Sequence, residues 1–316
     1  MDVSVIIVSW NTREMLRNCL RSIYEAAGTE TFEMIVVDNA STDGSADMVS
    51  SCFPRAQLVR NEFNLGFAAA NNQGMAIANG RYVLLLNSDT VVHPLAVQNT
   101  IAFADQHEDA AVIGCHVTGP KARTQFSCYR FPSLMNLALS LSQLAHLFPR
   151  NRFFGRYRLT WWTYDRPREV DAVAGCFMLV RKKAIEEVGG MSERYFMYSE
   201  DVDWCWRFRR RSWKTMFTPA GCIIHFGQAS SSQCATEMHL LERRSLLMFL
   251  EMKSGRAARW LANSMFCVGS LARLPAAALQ QLFGADKERA AARRRLYAAA
   301  LRFHLFGRFP ETLHGA

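Results

Sequence analysis

The chain has no run of about 18 uninterrupted apolar residues, which excludes a conventional membrane-spanning helix. Its nine cysteines include no CxxC pair and no Cys/His cluster at zinc spacing, which excludes a structural zinc site. Cys19, Cys115, Cys176 and Cys267 sit within apolar runs, where a thiol packs as a small hydrophobe, so a reducing cytoplasm is expected. Repeats with a period of roughly 20–50 residues are absent, which excludes solenoids and propellers. The opening MDVSVIIVSW carries an acid where a signal peptide has a basic stretch, so no leader is expected. Acidic residues are scarce in one region only. Residues 241–316 hold 13 Lys/Arg against 5 Asp/Glu, whereas residues 1–240 hold 24 against 23, so the tail carries +8 of the formal +9. Such a tail suits an anionic surface or, more plainly, a solvated helix face. Nucleic acid is not an expected partner, because no recognition motif or aromatic stacking platform accompanies the charge.

What is present reads as an α/β protein. At 316 residues with 50% hydrophobic content, the chain can bury a full-sized core. Residues 3–8, VSVIIV, are β-branched and nearly all apolar, as in a strand buried on both faces. Asn11-Thr12-Arg13-Glu14 then reads as a helix start, followed by Met15, Leu16, Cys19, Leu20 and Ile23 at helical spacing. Further strands are expected at 34–37, 57–59, 82–86, 111–117 and 172–180, with a helix over 67–78. Strands separated by helices predict a parallel sheet with right-handed crossovers, whose ligand site lies beyond the carboxyl ends of the strands. Residues 133–148 place Leu134, Leu137, Leu141 and Leu144 on one helical face, suited to core packing or to a homodimer contact. Residues 239–283 are basic and apolar together, which suits a packed helical cap or helices lying in a membrane interface. The expected division is an α/β domain over 1–238 and a helical extension over 239–316.

The strand ends carry the polar chemistry. YVLLLNSDT ends a buried run in Asn87-Ser88-Asp89; a carboxylate there can hold Mg²⁺ or Mn²⁺, or cap the helix expected near Pro94. Asp38, Asn39 and Asp43 in DNASTDGS can hydrogen-bond a nucleotide's sugar or base, or simply form turns. Asn64-Leu65-Gly66-Phe67 combines a tight turn with close backbone access. Glu200, Asp201 and Asp203 lie in an aromatic, apolar setting where burial raises a carboxylate pKa toward a usable base. Asp203 is one helical turn from Arg207, its expected ion-pair partner. His225 in IIHFG is either a structural histidine or a neutral metal ligand.

The ordered motifs VSVIIVSWN, VVDNASTDGS, NLGFAAANN, LLLNSD, GCFMLVRKKAIEEVGGMSERYFMYSEDVDWCWR and IIHFG resemble family 2 glycosyltransferases. The similarity spans residues 3 to 250 and is greatest to the bacterial branch that includes rhamnosyltransferases and galactofuranosyltransferases. The resemblance implies a GT-A fold, with a mostly parallel, Rossmann-like sheet flanked by helices and a C-terminal helical extension. It implies an inverting transfer from a nucleotide-diphosphate sugar, first of all L-rhamnose from dTDP-rhamnose, to a glycan or lipid-linked acceptor in cell-surface polysaccharide synthesis. Ser9, Asn11, Asp38, Asn39, Asp43, Asn64, Gly66, Asn87 and Ser88 form the implied donor-binding set. Asp89 and His225 become ligands for Mg²⁺ or Mn²⁺, Asp201 the catalytic base, and Glu200 its neighbour in the acceptor site. One departure is that Asn87 stands where many members have the first aspartate of Asp-x-Asp, which weakens the metal site. Alternatives are a sugar-phosphate nucleotidyltransferase, disfavoured because SWNTREML lacks a Gly-rich loop, and a nucleotide-sugar-binding scaffold. The basic tail, with Arg243, Arg244, Lys253, Arg256 and Arg259 and the anchors Trp260 and Phe266, implies peripheral contact with the anionic inner face of the cytoplasmic membrane.

Overall fold

The structure is a computed structural model and describes residues 1–26, 28–227, 235–283 and 286–307. The chain divides into two compact units, Met1–Phe131 with Arg156–Gln233, and Pro132–Gly155 with Cys234–Ala316.

In chain order the first unit opens with β1 (Val3–Ser9), α1 (Arg13–Glu25), β2 (Phe32–Asp38), α2 (Ser45–Cys52), β3 (Gln57–Arg60), α3 (Phe67–Ile77) and β4 (Tyr82–Asn87). It continues through β5 (Thr90–Val92), α4 (Ala96–Asp105), β6 (Ala110–Thr118) and β7 (Cys128–Tyr129). The second unit then contributes α5 (Leu134–Leu141) and α6 (Leu144–Leu147). The first resumes with β8 (Arg168–Val170), β9 (Ala172–Val173), β10 (Phe177–Arg181), α7 (Lys182–Val188), α8 (Glu200–Arg210) and β11 (Lys214–His225). The chain ends in the second unit with α9 (Ala235–Phe283), broken at Gly255, and α10 (Lys287–Phe306).

The main sheet has the order β3-β2-β1-β4-β10-β6-β11-β5, with β8 also paired to β11. β3, β2, β1 and β4 run parallel, whereas β10 is antiparallel to both β4 and β6. The parallel half follows from sequence: β1 is buried on both faces, and Val5 and Ile7 pack with Leu16, Cys19, Leu20 and Ile23 of α1. Each such fully buried aliphatic side chain contributes about 1.5–3 kcal/mol. Met15, expected on that stripe, is instead exposed, because its position turns away from the sheet.

Two local expectations differ. Asn11 does not cap α1; the first-turn N–H of Arg13 donates to Asp43 across the sheet end. The strand expected over 172–180 is two strands, interrupted where the Gly175 N–H donates to Asp201 instead of a ladder partner.

In the second unit, Leu137 of the leucine stripe packs with Leu247, Leu250, Ala262 and Phe266, and Leu134 and Leu141, partly buried, pack against that cluster. Segment 132–155 thus belongs with the C-terminal helices, although it lies inside the stretch 1–238 expected as one domain. Arg243 and Phe266, expected at a lipid surface, are buried here. The Arg243 guanidinium donates to Ser270 Oγ at 3.0 Å and lies 4.8 Å from the Phe266 ring centroid, and burial lowers its pKa to about 10.

Candidate active site

The carboxyl ends of β1, β2 and β4 are level, with Ser9 opposite Asp38 and Val8 opposite Asn87. Ser9 Oγ lies 3.0 Å from Thr12 Oγ1, which lies 2.9 Å from Ser88 Oγ, so a chain of hydroxyls ties the turns after β1 and β4. Asn11 accepts the Thr42 N–H at 2.8 Å and donates its own N–H to Ser41 Oγ at 3.0 Å, latching the turns after β1 and β2. Asn11 and Ala40 hold left-handed φ values of 52° and 65° in those turns. For a non-glycine residue this costs roughly 1–2 kcal/mol, and such strain gathers where a backbone must present groups to a ligand.

Several of the residues expected to touch the donor are engaged by the protein itself. Asn39 donates to Asn64 Oδ1 and the Gly66 carbonyl, and accepts from Asn61 and the Leu65 N–H. Asn64 also accepts the Gly66 N–H. Gly66 has φ 83°, and a Cβ there would sit 2.3 Å from the Phe196 carbonyl oxygen. Asp43 receives N–H groups from Arg13 and Ser45 and the Ser45 hydroxyl; burial raises its pKa, but these hydrogen bonds outweigh that and lower it. Asp38 differs. Its Oδ2 accepts the Ser41 N–H at 3.1 Å, while its buried Oδ1 has no hydrogen-bond partner among the described residues. A buried carboxylate oxygen without a partner is costly unless a ligand supplies a donor.

At the other end of the ledge, Asp89 is buried and does not cap the next helix; α4 starts at Ala96 with no side-chain cap. Asp89 Oδ1 faces His225 Nε2 at 3.3 Å, and Asn87 Nδ2 lies 3.4 Å from the same nitrogen. Gln125 grips the histidine twice. Its Nε2 donates to the His225 carbonyl at 2.7 Å, which leaves its Oε1 3.0 Å from His225 Nδ1. An amide oxygen only accepts, so Nδ1 carries the hydrogen, and in the neutral ring Nε2 is an acceptor that faces the Asn87 amide and the Asp89 carboxylate. Two acceptors facing each other favour a cation between them. One carboxylate and one imidazole would leave most positions to diphosphate oxygens and water, which is how Mg²⁺-type sites are built. Among the described residues no group of three or more His, Cys, Asp or Glu side chains could hold an ion by itself.

The acidic pair begins α8. Tyr198 and Ser199 precede it with φ of 68° and 67°, a strained turn that aims Glu200 and Asp201. Asp201 accepts N–H groups from Gly175 at 3.0 Å and Val202 at 2.8 Å. Burial raises its pKa against these bonds. Glu200 is raised further, first by burial and then by the Asp201 charge, and its Oε2 has no partner among the described residues. The two N–H donors favour the charged form of Asp201, whereas Glu200, with one oxygen unpartnered among the described residues, has its charged form opposed more strongly. Asp203 is not part of this pair: it binds Arg207 at 2.9 Å, as its spacing predicts.

Glu200, Asp201, Asn87, His225 and Gln125 line one open cavity of about 290 Å³, together with Phe67, Tyr129 and Tyr198 among others. Burial pushes the thiol of Cys176 up to about 12, and the charges of Asp89 and Asp201 both add to that. Ser9, Asn11, Asp38, Asn39, Asp43, Asn64, Gly66, Ser88 and Asp89 do not line this cavity; Asp89 adjoins it through His225. Sequence reasoning missed Gln125, which stands in a loop after β6 and carries no motif signal.

A mostly parallel half-sheet presents its polar groups at the strand ends, with one carboxylate beside a histidine and another held by backbone N–H groups, an arrangement suited to group transfer. The sequence profile described as Glycosyl transferase family 2 matches residues 4–189, and the chain belongs to that family. It is 26% identical over 257 residues to the N-acetylglucosaminyl-diphospho-decaprenol L-rhamnosyltransferase of Mycobacterium tuberculosis, covering 78% of this chain and 83% of that one. It is 23% identical over 254 residues to glycosyltransferase GlyG of Streptococcus pneumoniae, covering 79% of each chain. The fold is GT-A. The mannosyltransferase PcManGT of Pyrobaculum calidifontis, solved with GDP-Man and Mn²⁺, superposes with a TM-score of 0.58 at 15% identity, over 97% of this chain and 87% of that one. GalNAc-T7, solved with UDP, GalNAc and Mn²⁺, superposes with a TM-score of 0.55 at 15% identity, over 71% of this chain and 43% of that one.

Proposed function

We propose that this glycosyltransferase moves L-rhamnose from dTDP-rhamnose, with inversion, to a hydroxyl of a lipid-linked glycan during cell-surface polysaccharide synthesis. The observation that carries the reading is the cavity shared by Asp201 and by the His225 that faces Asp89. The rhamnosyl donor and the lipid-diphosphate acceptor are suggested by the mycobacterial relative's name.

Asp38, with its unpartnered oxygen at the strand end, accepts from the nucleotide's ribose or base. Asp89 and His225 would hold Mg²⁺ or Mn²⁺, which would supply positive charge beside a departing diphosphate. Gln125 keeps the His225 lone pair turned toward that ion. Asp201, kept anionic by two N–H groups, takes the proton from the acceptor hydroxyl as it attacks the anomeric carbon. Protonated Glu200, one residue away, donates a hydrogen bond to an acceptor oxygen.

A thermal-shift panel of nucleotide diphosphates and their sugars, with and without Mn²⁺, tests the donor, since a ligand bound only by the native state raises the melting point. dTDP-rhamnose is expected to give the largest rise, and only with Mn²⁺. A larger rise with a UDP-hexose or a GDP-sugar would replace the donor, and full turnover in excess chelator would remove the metal.

A further inference from the structure

We infer that one face of α9 is a docking surface for an anionic lipid leaflet. Beyond the break at Gly255, the side chains of Trp260, Val268, Leu271, Leu279, Leu282 and Phe283 are between 57% and 83% exposed. At about 100° per residue they fall on one side of the helix, accompanied there by Ala257, Ala272 and Pro275. Ala262, Phe266, Ser270 and Ala277 fall on the opposite side and are buried inside their own unit. A cap and an interface helix are thus two faces of one element. The apolar face runs from Trp260 to Phe283, about 35 Å at roughly 1.5 Å per residue. An exposed apolar stripe of this length, interrupted only by Ser264, marks an interaction site.

The charge carried by α9 and α10 selects the occupant. No acidic residue occurs between Glu251 and Asp286. Arg256 and Arg259 precede the stripe and both pair with Glu251, which leaves one net positive charge at its start. α10, which packs against α9, exposes Arg289, Arg293, Arg294 and Arg295, offset only by Asp286 and Glu288 at its start. A second copy would bring like charges together, whereas an anionic leaflet matches them. Each Arg near such a surface strengthens partitioning about five-fold. No helix among the described residues is long and apolar enough to cross a membrane, so the helix lies in the interface with its apolar face inserted. The inference stands on this surface and needs no particular donor, acceptor or activity.

The test is sedimentation of the full chain with vesicles of phosphatidylcholine alone or mixed equally with phosphatidylglycerol. The parent is expected to bind the mixed vesicles at least about ten-fold more tightly than the neutral ones. The double variant Leu271→Glu/Leu282→Glu, at two exposed positions, should lose at least about 100-fold of that binding while keeping its helical circular dichroism and melting temperature. Three results would each overturn the inference: a parent that ignores the mixed vesicles, a parent that binds both kinds equally, or a double variant that binds like the parent. Light scattering that finds a lipid-free dimer, made monomeric by the same double variant, would assign the stripe to a second copy instead.

Discussion

Replacing Asp201 with asparagine separates the proposed chemistry from binding. The carboxylate accepts the Gly175 N–H through Oδ2 and the Val202 N–H through Oδ1, at 3.0 and 2.8 Å. An amide keeps one acceptor and turns an NH₂ toward the other N–H. Leaving that donor unpaired in a partly buried site costs about 1–3 kcal/mol. Part of this is returned, because a neutral amide escapes the burial penalty that raises the Asp201 pKa. The net effect on stability is therefore a small fall in melting temperature. The effect on turnover is far larger, since losing a general base costs roughly 10²–10⁴-fold, or about 3–5 kcal/mol of barrier. Steady-state transfer and calorimetric donor binding with Mn²⁺ should be measured on both proteins. The variant is expected to bind donor as the parent does and to transfer sugar at least about 100-fold more slowly. In the parent, the rate should fall as pH drops through the raised Asp201 value, because the protonated carboxyl cannot accept a proton. A variant that transfers at the parent rate would refute the assignment, as would one whose donor binding falls as far as its rate.

Gln125→Leu removes both hydrogen bonds to His225, and titration of Mn²⁺ in the presence of nucleoside diphosphate should show affinity about 10–100-fold weaker with an unchanged fold. Parent-like Mn²⁺ affinity would exclude the orienting role. Glu200 has a folded pKa above its ordinary 4.5, so the stability it contributes is complete below that value and is lost as pH rises through the raised one. Glu200→Gln removes this loss, so melting temperatures against pH should show the parent declining on the alkaline side while the variant stays flatter. Gly66→Ala forces a Cβ to 2.3 Å from the Phe196 carbonyl oxygen at φ 83°, and denaturant unfolding should report a loss of at least about 1–3 kcal/mol.

The elements most legible in sequence are those whose side chains have a single environment. VSVIIV is buried on both faces and reads as a strand; Leu16, Cys19, Leu20 and Ile23 face one sheet and read as a helix. Their order also places Ser9, Asp38 and Asp89 at one sheet edge, because parallel strands with right-handed crossovers bring their carboxyl ends together. The Asp203–Arg207 pair was legible for a similar reason, since both ends lie on one helical turn. The partner of the first-turn Arg13 N–H was not legible, because Asp43 is 30 positions away and becomes a neighbour only across the sheet end. The strand over 172–180 was misread because one backbone donor, Gly175, is taken by a carboxylate 26 positions later.

By itself the sequence determined the class of fold, the family and the acidic and polar residues from which a site could be made, since these depend on local periodicity and on motif order. Only the tertiary structure decided how they are used. Asn39 and Asn64 serve their own loops, Asp38 keeps a spare oxygen, and Gln125 turns His225 toward Asp89. It also decided that Arg243 points inward while Trp260 and Phe283 point out. Hydrogen-bond partners and burial are set by contacts between distant segments, and a side chain's availability is what remains after those contacts are made.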